Sequence, residues 1–155
     1  MKTDAQVVAE IDAAFGALGK PEHFTNFTHC EECREHDDLL RQRDRSTLLI
    51  SDVGNICWQP ISFSSPEGVA YYMPALARLA LAEPTYEYGW YADTLQIHLS
   101  SDGENNRLLQ FCNPTQRKAV AVLLEHLNVS RASFEERMTT REEMEATRAL
   151  WESKV

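Results

Sequence analysis

Long apolar runs are missing from this chain. No stretch approaches the roughly 18 consecutive apolar residues that a membrane-crossing helix needs. Met1-Lys2-Thr3-Asp4 leads into a mixed-polarity helical pattern rather than a signal peptide. A cytoplasmic protein without membrane insertion is the expectation. Basic residues are scarce as well: the net charge is −9. Between Ser46 and Asn113 only Arg78 and Arg107 oppose Asp52, Glu67, Glu83, Glu87, Asp93, Asp102 and Glu104. Holding a phosphate backbone requires a basic surface that releases counterions, so no nucleic-acid partner is expected. There is no G-x-x-x-x-G-K-[ST] phosphate loop, no G-x-S-x-G elbow and no H-E-x-x-H pair. His98 and His126 stand alone on apolar segments, where packing is the commoner use of an imidazole. Neither internal repeats nor a strand-helix-strand alternation is visible.

What is present has the composition of an ordinary globular protein, with 43% hydrophobic and 25% charged residues in 155 positions. That length serves one core, so residues 1–155 read as a single compact, mainly α domain with a charged C-terminal helical segment over 135–155. Val7, Val8, Ile11, Ala14, Phe15 and Leu18 recur at three- and four-residue steps, predicting a first helix with Asp4 as its N-cap and Gly19-Lys20-Pro21 as its stop. A second helix is predicted from Thr28, with Glu31 as capping-box partner. Ser65-Pro66-Glu67 opens a third over about 66–82, in which Pro74 predicts a kink or break near Tyr71. Asn113-Pro114 repeats the cap-and-proline device ahead of an apolar helix ending near Asn128, and Thr139 or Thr140 starts the last one. Thr47 to Val53 and Leu95 to Leu99 leave room for one short β element, since their patterns fit a strand or a helix.

The sharpest local feature is His29-Cys30-Glu31-Glu32-Cys33-Arg34-Glu35-His36. At about 100° per residue, Cys30, Cys33, His36 and Asp37 fall within a third of a helix circumference, and His29 sits one turn from Cys33 on the same side. Thiols and imidazoles are the donors that zinc prefers. One helix rarely surrounds a tetrahedral ion, so a closed site would recruit a distant ligand, Cys57 or Cys112, with His23 a weaker choice. Four cysteines without a secretion signal point to reduced thiols or ligands rather than disulfides. A C-x-x-C pair at a helix N-terminus also fits thiol redox chemistry, although Glu31, Glu32 and Glu35 oppose a thiolate there. Thiols that serve packing alone are the third reading.

Tyr71, Tyr72, Tyr86, Tyr88, Trp90 and Tyr91, with Trp58 and Phe63, concentrate eight of the fourteen aromatics in the acidic middle. Core packing is their commoner use, but aromatics beside carboxylates also make recognition surfaces. Glu83, Glu87, Tyr88, Trp90 and Asp93 are accordingly the candidates for meeting a basic protein partner.

Taken together, Cys30-x-x-Cys33, Tyr71-Tyr72-Met73-Pro74-Ala75 and Gln116 leading the helix of Ala119 to Leu127 resemble an uncharacterised bacterial family of small proteins, over roughly residues 10–128. The resemblance implies a mostly helical fold and a bacterial cytosolic setting, and brings no activity with it. The expected function is a protein-binding or regulatory, immunity-type module with zinc held by Cys30, Cys33 and His36 or His29. The alternative is a thiol–disulfide oxidoreductase, or a metalloenzyme with an open coordination position, using the same pair.

Overall fold

The first helix, α1 (Asp4–Phe15), buries Val7, Ile11 and Phe15 along one face. Its cap is Thr3 rather than Asp4: the Thr3 hydroxyl accepts from Gln6 N–H while Gln6 Oε1 accepts from Thr3 N–H. Asp4 therefore falls in the first turn, where a carboxylate complements the helix dipole. The second helix, α2 (Glu31–Gln42), starts later than Thr28. A turn intervenes, in which His29 N–H bonds Asn26 O and the Thr28 hydroxyl bonds Asn26 Oδ1. This turn uses up the expected cap, and Cys30 takes its place.

The ambiguous 47–53 segment is a single helical turn, α3 (Ile50–Val53), followed by α4 (Pro60–Phe63), which the sequence reading did not find. The long α5 (Pro66–Leu81) begins at Ser65, whose hydroxyl accepts from Gly68 N–H. Gly68 is required there, because a Cβ would lie 2.6 Å from the Phe24 ring and 2.3 Å from Ser64 Oγ. Twelve of the sixteen residues of α5 are buried, the mark of a helix surrounded by others. The helix runs unbroken through Pro74. Pro74 has no N–H to give the carbonyl of Ala70. On the adjacent residue the Arg45 guanidinium donates to Tyr71 O at 2.6 Å, and it also donates to the carbonyls of Phe15, Gly16 and Leu18.

After a turn closed by reciprocal backbone bonds between Thr85 and Gly89, with φ +66° at Gly89, come α6 (Tyr91–Ser100), a 3₁₀ turn (Gly103–Asn105) and α7 (Arg107–Phe111). Asn113 and Gln116 box the start of α8 (Pro114–Ser130), and Thr140 and Glu143 that of α9 (Arg141–Glu152). The computed structural model describes residues 1–153, so the last two positions of the predicted C-terminal segment lie outside it. The described residues contain no β-strand.

Helix α1 packs on α5 and α8, and α9 covers α8 and α6, while α2 packs on α4 at the other flank. The chain is a single, mainly α domain. Its core includes Phe15, Phe24, Tyr72, Met73, Leu76, Trp90, Leu95 and Trp151, each worth about 1.5–3 kcal/mol when withdrawn from water. Among the described residues, no helix is long and apolar enough to cross a membrane.

Candidate metal centre

The thiol run is placed by the loop ahead of it. Phe24 is buried against Tyr71 and Tyr72, which pins the loop to α5. Lys20 Nζ donates to the carbonyls of Arg41 and Arg43 at the far end of α2. Between these anchors Asp37, 1% exposed, accepts from His23 Nδ1 at 2.7 Å, Phe24 N–H at 2.6 Å and Thr25 N–H at 3.1 Å. Burial disfavours its charge, but these bonds outweigh burial and hold the carboxyl below its ordinary value. The Thr25 hydroxyl donates to Cys33 O at 2.5 Å, and His23 stacks on Phe27. The chain is thereby folded back so that His29 and Cys30 arrive at the N-terminus of α2.

There the Cys30 sulfur caps the helix, accepting from Cys33 N–H at 3.3 Å. The two sulfurs are 3.1 Å apart, and His29 Nδ1 is 3.7 Å from the Cys33 sulfur. One ligand atom from each of His29, Cys30 and Cys33 lies within 4.8 Å of the others. In a tetrahedral zinc site two sulfurs stand about 3.8 Å apart, and a sulfur and an imidazole nitrogen about 3.6 Å. The His29–Cys33 spacing already has that value, and the sulfurs need to part by about 0.7 Å. Cys33 is buried, Cys30 half-buried and His29 exposed, so the group opens to solvent on the His29 side.

The two thiols differ in acidity. The Cys33 N–H, the Cys33 thiol and His29 stabilise a Cys30 thiolate and lower its pKa. Cys33 is raised, chiefly by the bond it gives Cys30, then by desolvation and by the charges of Cys30 and Glu32. Such an arrangement can bind a soft or borderline cation through three donors, or exchange electrons between its sulfurs.

The other candidates lie elsewhere. His36, expected on the donor face, is fully buried, with its ring 4.2 Å from Trp58 and 4.6 Å from Phe63 and Glu32 at 3.5 Å. With α2 packed on α4 it lies in the interior, and it does not join the group formed by His29, Cys30 and Cys33. Cys57 is exposed in the loop after α3, and Cys112 is buried at the end of α7, its thiol pushed up to about 12 by burial. Neither joins the three-donor group. In the acidic middle, Glu83 and Glu87 are exposed and Tyr88 is half-buried beside Glu87. Trp90 and Asp93 are used inside the fold. The indole N–H of Trp90 donates to Ala80 O at 3.0 Å, and Asp93 accepts from the N–H groups of Met138 and Thr139.

Sequence reasoning missed Asp37 and Thr25 as the residues that position the site; of the aromatic cluster it named, Tyr86 is fully exposed on the 85–89 turn. Asp37 carried a legible signal, since an acid on the apolar side of α2 needs buried donors. A cavity of about 560 Å³ lies elsewhere, lined by residues including Lys2, Gln6, Glu125 and His126, with none of the thiols. Compared with known proteins, the chain matches no family model, no curated protein and no solved structure.

Proposed function

We propose that this protein is a small cytosolic regulatory or protein-binding module that holds one zinc ion at His29, Cys30 and Cys33. The observation that carries this reading is the convergence of one imidazole and two thiols within 4.8 Å at a helix N-terminus. Two sulfurs and a nitrogen suit zinc and exclude the oxygen-seeking cations. A water or a donor from a partner completes the tetrahedron on the exposed His29 side. Glu83, Glu87 and Tyr88, with Tyr86 beside them, form the face offered to a basic protein.

Elemental analysis of protein purified without chelator tests the metal. About one zinc per chain is expected, lost in the Cys30→Ala, Cys33→Ala double variant; a metal-free protein that takes up no added zinc overturns the reading. The opposed acidities of the two thiols favour a second reading, a thiol–disulfide oxidoreductase with Cys30 as nucleophile and Cys33 as resolving thiol. Reduction of a disulfide substrate by the zinc-free protein, abolished by Cys30→Ser, would favour that reading over the first.

A further inference from the structure

We infer that zinc occupancy of this site is gated by peroxide: oxidation joins Cys30 to Cys33 and empties the site. The inference rests on the zinc reading above and adds its regulation. Its basis is geometric. The two sulfurs are 3.1 Å apart in the first turn of α2, and a disulfide needs about 2.05 Å, so closure moves them about 1 Å together. Zinc requires the same sulfurs to move apart. Metal and disulfide are therefore exclusive states of one pair.

The donor count makes the change complete. Cys57 and Cys112 lie outside the group, so no third thiol replaces the oxidised pair and His29 alone remains. One imidazole does not retain zinc against water. Burial sets the order of events. The half-exposed Cys30 thiolate attacks hydrogen peroxide, the O–O bond breaks, a sulfenic acid forms on Cys30, and the departing hydroxide leaves as water after taking a proton. The Cys33 thiolate then attacks the Cys30 sulfur, the S–O bond breaks, and a second hydroxide leaves as water. Two thiolates lose two electrons, and one peroxide takes up two electrons and two protons.

The experiment treats zinc-loaded full-length protein with hydrogen peroxide while a chromogenic chelator follows free zinc and mass spectrometry follows the cysteines. One zinc should be released per Cys30–Cys33 disulfide, and dithiothreitol with added zinc should restore the loaded form. In Cys33→Ser, dimedone should label Cys30, and Cys57→Ser with Cys112→Ser should respond as the parent protein does. A protein that keeps its zinc after the disulfide has formed, or whose disulfide maps to Cys57 or Cys112, overturns the gating while leaving the zinc reading intact. Disulfide formation in a chain that never bound zinc overturns both.

Discussion

Helices α2 and α9 have the same length and the same acidic first turn, Glu31 and Glu32 in one, Glu142 and Glu143 in the other, yet they are capped by different chemistry. At α9 the Thr140 hydroxyl accepts from Glu143 N–H at 3.1 Å, and Glu143 Oε2 accepts from Thr140 N–H at 2.8 Å. Both orphan donors are answered within the helix, and the cap has no further capacity. At α2 the Cys30 sulfur accepts at 3.3 Å and touches the Cys33 sulfur, which in turn lies 3.7 Å from the His29 imidazole. A hydroxyl caps a helix better than a thiol does. A thiol in that position, with soft donors around it, is placed for chemistry beyond capping.

The largest effect that would break this contrast concerns Cys30. Cys30→Ser supplies a better cap and removes a zinc ligand, so the melting temperature of the zinc-free protein should hold or rise slightly while zinc affinity, measured by competition with a chelator, falls at least about 100-fold. A fall in melting temperature with zinc binding intact would mean that the sulfur serves the fold, and the contrast with Thr140 would disappear.

Asp37→Asn comes next. The charge that draws in His23, Phe24 and Thr25 would be lost from a buried position, at a cost of about 2 kcal/mol in urea unfolding. Because the folded pKa is depressed, the carboxylate contributes its stability above its ordinary titration range, and that part is lost as the pH falls through the lower folded value. The variant should therefore approach the parent protein in stability at strongly acid pH. An equal difference at pH 7 and pH 2 would show that packing, not charge, fixes the loop ahead of α2.

How much of this was legible depended on whether the signal was local. The starts of α5 and α8 followed from Ser65-Pro66 and Asn113-Pro114, because a cap followed by proline is a complete instruction within a few residues. Two starts were misplaced. Thr28 loses its hydroxyl to a turn with Asn26, and Thr3 competes with Asp4 for the same role. Pro74 reads as a break, yet α5 runs through it with buried residues on both sides. In the candidate site the periodicity put His29, Cys30, Cys33 and His36 on one side of α2, but it carries no information about what packs there. Trp58 and Phe63 pack on the His36 ring, which does not join the group formed by His29 and the thiols. Trp90 and Asp93 were read from composition, and composition does not distinguish an aromatic on a surface from one whose N–H bonds a helix carbonyl.

At the other cap, Thr140→Ala should cost about 1 kcal/mol and leave zinc affinity unchanged, since α9 lies along α8 and α6, away from α2. Calorimetry alongside zinc competition measures both quantities. Altered zinc affinity would show that the two helix starts are coupled through the core.

The smallest effect separates the two regions by pH. In the first turn of α1, Asp4 is held down to about 2 by its bonds to Arg131 and, less strongly, His126. Nearly half of its side chain is exposed, so screening limits the contribution to under about 1 kcal/mol. That contribution is present above about pH 4 and is lost as the pH falls through about 2, so Asp4→Asn should lower the melting temperature slightly at pH 7 and have no effect near pH 2. Zinc leaves in a different range, because thiolate and imidazole ligands must lose their protons to bind. Acid titration followed by both zinc release and circular dichroism should give two separate transitions, with zinc lost first while the helices persist. Caps such as Thr140 and the α1–α5–α8 core need no metal to form, so a single joint transition would mean that zinc holds the fold as a whole rather than the start of α2.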